Sequence, residues 1–149
     1  MIRNRTPHIL LAEDNPADVV LIRKCLKESA SFEFELHVVQ DGEAALRFLS
    51  RNAGDAKAPT PDLVILDLNM PKIGGIEVLQ RIKSDSALKV TPIIVLSSSD
   101  SKEDIEASYQ NYANCYVQKP RDLAGLMKVC KRIDDFWLKV VEYPVRDAR

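Results

Sequence analysis

The chain has 149 residues, with 21 lysines and arginines against 22 aspartates and glutamates and a formal net charge of −1. That length suits one compact domain, and the charges nearly cancel, so no strong electrostatic pull toward nucleic acid is expected. No apolar run is long enough to span a bilayer, and no long apolar stretch follows Arg3 and Arg5 as it would in a secretory signal, so a cytoplasmic location is expected. Cys25, Cys115 and Cys130 are odd in number and widely spaced. They fit neither a disulfide framework nor a zinc site and read as reduced thiols, buried as small hydrophobes.

Taken in chain order, strand and helix signals alternate. His8-Ile9-Leu10-Leu11-Ala12 is an apolar run that ends on the acid pair Glu13-Asp14. Asn15 is suited to cap the helix that follows and Pro16 fits its first turn; Val19, Val20, Ile22 and Leu26 give it an apolar face. Residues 34–40 read as a second strand with Phe34, Leu36 and Val38 on one face. Asp41-Gly42 turns into a helix carrying Ala44, Ala45, Phe48 and Leu49. Residues 51–61, rich in alanine, glycine and proline, read as a loop. Leu63-Val64-Ile65-Leu66 is a buried strand that ends at Asp67. Gly74-Gly75 leads into a helix with Ile76, Val78, Leu79 and Ile82. Pro92 opens a fourth strand over residues 93–97, and Ser99 or Asp100 is expected to cap a helix running toward Tyr112. The fifth strand, residues 115–118, is ended by Lys119-Pro120. The last helix begins near Asp122 and is expected to extend to Glu142, stopped before Pro144. Its early apolar members Leu123, Leu126, Met127, Cys130 and Ile133 read as core.

A strand–helix unit repeated in this way predicts right-handed crossovers and a doubly wound five-stranded parallel sheet with helices on both faces, an α/β fold of the flavodoxin-like strand order 2-1-3-4-5. In that order the first and third strands are neighbours. Glu13, Asp14 and Asp67 then converge at the carboxyl end of the sheet, where ligands bind in open α/β folds. Each residue has a plain structural reading by itself: Asp14-Asn15-Pro16 as a helix cap, Lys119 as a solvated lysine, Ser97 as a group satisfying a sheet edge. Their joint placement at strand exits favours a site.

The pieces Glu13-Asp14, Leu66-Asp67-Leu68-Asn69-Met70-Pro71, Gly74-Gly75, Ser97-Ser98, Tyr116 and Lys119-Pro120, in this order and spacing, resemble the receiver domain of two-component response regulators over residues 8–144. The resemblance implies that Asp67 accepts a phosphoryl group from a phosphohistidine of a sensor histidine kinase. Crowded carboxylates repel, and a hard divalent cation relieves them; Mg²⁺ takes oxygen ligands and keeps several waters. Asp14 and Asp67 are the expected direct ligands, Glu13 acts through water, and the family adds the backbone carbonyl of Asn69. Lys119 and the Ser97 hydroxyl would cover phosphoryl oxygens. Ser97 and Tyr116 would form the switch, with Tyr116 turning inward as Ser97 moves to the phosphoryl group. The family further implies a cis Lys119–Pro120 bond, and kinase choice is expected to depend on exposed residues between positions 18 and 27. No enzyme activity is expected beyond self-directed phosphotransfer and autodephosphorylation.

Asn114-Cys115-Tyr116, Ile133-Asp134-Asp135-Phe136-Trp137-Leu138, Tyr143-Pro144 and the long loop over residues 51–61 resemble the small single-domain regulators that accompany bacterial phytochrome histidine kinases. This subgroup implies a phytochrome kinase as partner and a homodimer through the C-terminal helix region. Phe136, Trp137, Val140 and Val141 are many apolar groups for a helix end and are expected to form that interface; the alternative is that they fold back on their own domain. Residues 1–149 are thus read as a single receiver domain with an extended helix and tail from about residue 134. Two other functions would fit parts of this pattern. A phosphorylation-independent scaffold or pseudo-receiver would use only the interaction surface. An aspartyl-nucleophile phosphatase of the haloacid dehalogenase type would need a second aspartate two residues after Asp67, where Asn69 stands. There is no basic stripe for DNA binding.

Overall fold

A computed structural model describes residues 5–30, 33–50 and 59–144. Its elements follow in the order β1 (His8–Ala12), α1 (Pro16–Ser29), β2 (Glu35–Val39), α2 (Gly42–Leu49), β3 (Leu63–Leu66), α3 (Gly75–Ser84), β4 (Ile93–Ser97), α4 (Lys102–Gln110), β5 (Cys115–Gln118) and α5 (Leu123–Ile133), with a π-helical turn over Asp134–Leu138. The strands pair in parallel as β2-β1-β3-β4-β5, the doubly wound order that the sequence predicts.

The apolar runs of β1, β3 and β4 are buried on both faces, as crossover helices require, while the edge strands β2 and β5 are only partly buried. Because strand side chains alternate, Leu10, Val64, Leu66, Ile93 and Val95 face a core closed by Ala45 and Leu49 of α2 and Val78, Leu79 and Ile82 of α3. Ile9, Leu11, Ile65, Ile94 and Leu96 face the opposite core with Ile22, Cys25 and Leu26 of α1 and Leu126, Cys130 and Ile133 of α5. Cys25 and Cys130 are free and buried, and Cys115 is free and half-buried. Burial pushes the Cys130 thiol up to about 12, so it packs as a small hydrophobe rather than as a reactive thiolate.

Caps set where the helices start. Asn15 accepts hydrogen bonds from the amides of Ala17 (2.9 Å) and Asp18 (3.2 Å). Asp41 and Asp122 accept from Ala44 and Gly125, at 2.7 and 2.6 Å. The cap of α4 is Ser101, which accepts from the Asp104 amide at 3.0 Å, and not Ser99 or Asp100. The Ser99 hydroxyl is spent instead on the Asp104 carboxylate, at 2.6 Å.

Several expectations are corrected. Val20 is 64% exposed, because the buried face of α1 runs through Val19, Ile22, Cys25 and Leu26. Leu123 and Met127 are 53% and 40% exposed, beside a buried face made by Leu126, Cys130 and Ile133 at i, i+4 and i+7. The last helix does not continue to Glu142. After Ile133 the chain widens into the π-turn, where the Lys139 amide donates to the Asp134 carbonyl at 3.1 Å. In an α-helix, residues five apart lie roughly 140° apart around the axis. The wider turn brings Ile133 and Leu138 into the same core, at 5% and 1% exposure. The Lys119–Pro120 bond is trans, the ordinary state of an X–Pro bond. Most of the predicted loop over residues 51–61 lies outside the described residues.

Gly75 fixes α3 against the turn after β3. A Cβ there would lie 2.4 Å from the Asp67 carbonyl oxygen and 2.6 Å from Leu68 Cα. Gly75→Ala is therefore expected to destabilise the fold by about 1–3 kcal/mol, as overpacking against backbone does. Urea unfolding reads this directly, and an unchanged midpoint would mean that α3 starts elsewhere at no cost.

Candidate functional site

The register of the central strands builds the site. Ala12 of β1 is paired with Leu66 of β3, so the residues that follow them, Glu13 and Asp67, leave the sheet side by side. The Asp67 amide donates to the Ala12 carbonyl at 2.9 Å, and the Glu13 amide to the Val39 carbonyl at 3.0 Å, which pins both acids by their backbones. Glu13 and Asp67 are 1% and 6% exposed, and Asp14 is the most open of the three acids. One carboxylate oxygen from each of Glu13, Asp14 and Asp67 lies within 4.8 Å of the others. The Asn69 amide sits 3.4 Å from Asp67 Oδ1, which puts the peptide after Leu68 at the rim of this cluster.

Lys119 reaches the same cluster from the end of β5. Its backbone amide donates to the Ser97 carbonyl at 2.7 Å, so the pairing of β4 with β5 carries it there. Its ammonium lies 2.5 Å from Glu13 Oε1, 2.9 Å from Asp18 Oδ2 and 4.0 Å from Asp67 Oδ2. Lys119 thus rests chiefly on Glu13 and Asp18, with Asp67 at the edge of its reach. Asp18 is the member of this cluster that sequence reasoning left out. An aspartate in a first helical turn is explained well enough by the positive end of the helix dipole, and that reading hides its second role. The signal is positional: α1 begins at the carboxyl end of β1, so its first turn stands over the acid pair.

The electrostatics follow from burial. Desolvation raises the Glu13 carboxyl to about 7, helped by the nearby Asp67 charge and opposed by the Lys119 hydrogen bond. Burial by itself would lower the Lys119 ammonium, but its bonds to Glu13 and Asp18 outweigh this and hold its pKa above the ordinary value. The cluster therefore carries more negative charge than its lysine neutralises. Its donors are all hard oxygens, a set that suits a divalent cation such as Mg²⁺.

Ser97 is fully buried at the end of β4, where its hydroxyl oxygen accepts from the Ser99 amide at 3.3 Å. Tyr116 is half-buried against the α3-side core, and its hydroxyl donates to the Ser99 carbonyl at 2.7 Å. Ser97 and Tyr116 meet through the same short loop without touching the carboxylates in any described bond. Further along, Phe136 and Val140 are 54% and 59% exposed, while Trp137 and Val141 are half-buried. The Tyr143 hydroxyl donates to the Trp137 carbonyl at 2.5 Å, so part of the tail returns to the π-turn.

Over residues 9–131 the sequence matches the response regulator receiver domain. The chain belongs to this family. As a receiver it is 43% identical over 136 residues to response regulator Rcp1 of Synechocystis sp., covering 91% of this chain and 92% of that protein. Among solved structures the receiver is similar to the Mn²⁺-bound form of Rcp1, with a TM-score of 0.88 at 41% identity, over 93% of this chain and 99% of that one. It is also similar to the phosphorylated cyanobacterial phytochrome response regulator RcpA, with a TM-score of 0.90 at 41% identity, over 95% of this chain and all of the other. This receiver is a response regulator related to the phytochrome response regulators. Among the described residues no helix is long and apolar enough to cross a membrane.

Proposed function

We propose that this receiver is a phosphoacceptor: Asp67 takes a phosphoryl group from a histidine of a sensor kinase and later loses it to water. The observation that carries the reading is one buried carboxylate, Asp67, held with Glu13 and Asp14 in an oxygen cluster and lying 4.0 Å from the Lys119 ammonium. A carboxylate oxygen of Asp67 attacks phosphorus as the bond to the imidazole nitrogen breaks, and the product is an acyl phosphate. In phosphoryl transfer the protein mainly positions groups and neutralises spreading charge. Lys119 can do this by swinging a short way from Glu13 and Asp18 toward Asp67. The Ser97 hydroxyl is the second donor, once it leaves the Ser99 amide. Asp14, Asp67 and the Asn69 carbonyl would hold Mg²⁺ directly and Glu13 through water, and the ion would neutralise phosphoryl charge. The Mn²⁺-bound form of Rcp1 supports a divalent ion here, as the phosphorylated RcpA supports the phosphoryl chemistry.

The partner is a sensor histidine kinase, a bacterial phytochrome by analogy with RcpA, met through the exposed part of residues 18–27 in the cytoplasm. The chain acts as one receiver domain with a C-terminal extension from about residue 134, and its output runs through protein contacts. A groove of about 340 Å³ beside the edge strand β5 is lined by Val117, Phe136 and Trp137 among others. We assign it to a second copy of the chain. Phe136→Asp should then shift a dimer to monomer in analytical ultracentrifugation, and an unchanged sedimentation coefficient would remove this face from the assembly.

Tyr116 would report the phosphoryl state to that output. Tyr116→Ala should leave phosphorylation intact and weaken any association that phosphorylation promotes; unaltered coupling would take Tyr116 out of the switch. The function itself is tested by Mg²⁺-dependent uptake from acetyl phosphate, followed by intact mass. One phosphoryl group per chain is expected with metal and none without. Failure of uptake, together with failure to bind beryllofluoride, would move the protein to the scaffold reading.

A further inference from the structure

The opposite end of the same sheet carries a second cluster that phosphotransfer does not use. His8 opens β1 and is paired in register with Glu35 of β2, and His37 follows two residues along β2, on the same face as Glu35. His8 Nδ1 lies 3.0 Å from His37 Nε2 and 3.2 Å from Glu35 Oε2. His37 Nε2 is 4.0 Å from the same oxygen. The imidazoles are stacked, with centroids 5.3 Å apart, and Phe48 of α2 packs on His37 at 5.2 Å. Each histidine side chain is 25% exposed, so the ligand atoms are packed in place yet open to solvent on one side.

We propose that His8, Glu35 and His37 form a binding site for a divalent transition-metal ion of the zinc type. Zn²⁺ with bonds of 2.0–2.1 Å in tetrahedral geometry needs its ligand atoms about 3.3 Å apart. The three separations, 3.0, 3.2 and 4.0 Å, straddle that value. Two imidazole nitrogens and one carboxylate oxygen, with a fourth position left to water, are a donor set that zinc accepts and magnesium does not favour. Facing nitrogens 3.0 Å apart cannot both carry a proton, so at least one is unprotonated, and loss of the proton between them frees both for a metal. The ion would staple β2, an edge strand, to β1 at the end of the sheet remote from Asp67. The competing reading is a plain hydrogen bond between two neutral histidines.

The chain has only two histidines, and both belong to the cluster, so their imidazole proton signals report on it without assignment by mutation. The experiment titrates Zn²⁺ against a chromophoric chelator in a large excess of Mg²⁺, which occupies the carboxylate pocket, and repeats it with Co²⁺ as an absorbing probe. The expected result is one Zn²⁺ per chain, movement of both imidazole signal sets, and a rise in Tm as mass action requires. Glu35→Gln, on an exposed side chain, and His37→Ala should each weaken binding more than about 10-fold, the least that even a supporting group typically costs. Uptake from acetyl phosphate should be unchanged in both. Absence of stoichiometric uptake above Mg²⁺, imidazole signals that do not move, or binding that survives Glu35→Gln would each overturn the site. The wild-type signals decide the matter even if His37→Ala fails to fold.

Discussion

Asp67→Asn is expected to abolish phosphoryl uptake and, in metal-free buffer, to make the protein more stable by about 1–2 kcal/mol. The first effect is chemical, since an amide oxygen is no nucleophile toward phosphorus at neutral pH. The second follows from the crowding of Glu13, Asp14 and Asp67 around a single lysine. Removing one negative charge from a buried site at constant shape relieves repulsion, and it lets Glu13 ionise more readily, because the Asp67 charge helps to raise its pKa. The gain should vanish when saturating Mg²⁺ is present in both proteins, because the ion relieves the same repulsion in the wild type. Thermal unfolding with and without Mg²⁺ measures both halves. A metal-free Asp67→Asn protein less stable than wild type would show that the acids are not in conflict.

Lys119→Ala has the opposite balance. It should slow phosphoryl uptake by about 100-fold or more, as loss of a charged donor to a transition state does. It should also destabilise the metal-free fold by about 2–4 kcal/mol near neutral pH, because Glu13 and Asp18 are left without their counter-charge. The stability deficit should depend on pH. A carboxyl whose folded pKa, about 7 for Glu13, lies above its ordinary value of 4.5 stabilises the fold while it is protonated. That contribution is full below 4.5 and is lost as pH rises through about 7. Without the Lys119 hydrogen bond, which lowers it, the Glu13 pKa climbs further. The variant then escapes much of its cost by protonating Glu13 in mild acid and cannot do so in mild base. Urea unfolding should show a smaller deficit at about pH 6 than at about pH 8; a deficit that grows toward acid would contradict the assignment of Glu13 as the buried partner.

Much of this arrangement was legible in the chain. The strands are continuous apolar runs with acids or a lysine at their ends, and in a doubly wound sheet such ends meet. The Ala12–Leu66 register makes neighbours of Glu13 and Asp67, residues far apart in sequence. What the sequence hid is set by side-chain reach and by packing. A lysine on a flexible stem goes to the nearest carboxylates, and nothing in the letters says that Asp18 stands closer to Lys119 than Asp67 does. Ser99, Asp100 and Ser101 are all residue types that cap helices, and the bond of the Ser99 hydroxyl to Asp104 leaves the task to Ser101. The π-turn escaped because apolar residues at near-helical spacing read as one helix, whereas the Lys139–Asp134 backbone bond and the burial of both Ile133 and Leu138 reveal the extra residue in the turn. His8 and His37 lay in two strands as ordinary members and became a cluster only through the β1–β2 register.

The most direct test of the account is to find where the phosphoryl group sits. Protein phosphorylated with acetyl phosphate and Mg²⁺ is reduced with borohydride, which converts an aspartyl phosphate to homoserine, and then sequenced by fragment mass spectrometry. Homoserine at position 67 alone is the predicted result. Homoserine at position 14, or a protein that has gained a phosphoryl group and yields no homoserine at 67, would contradict it.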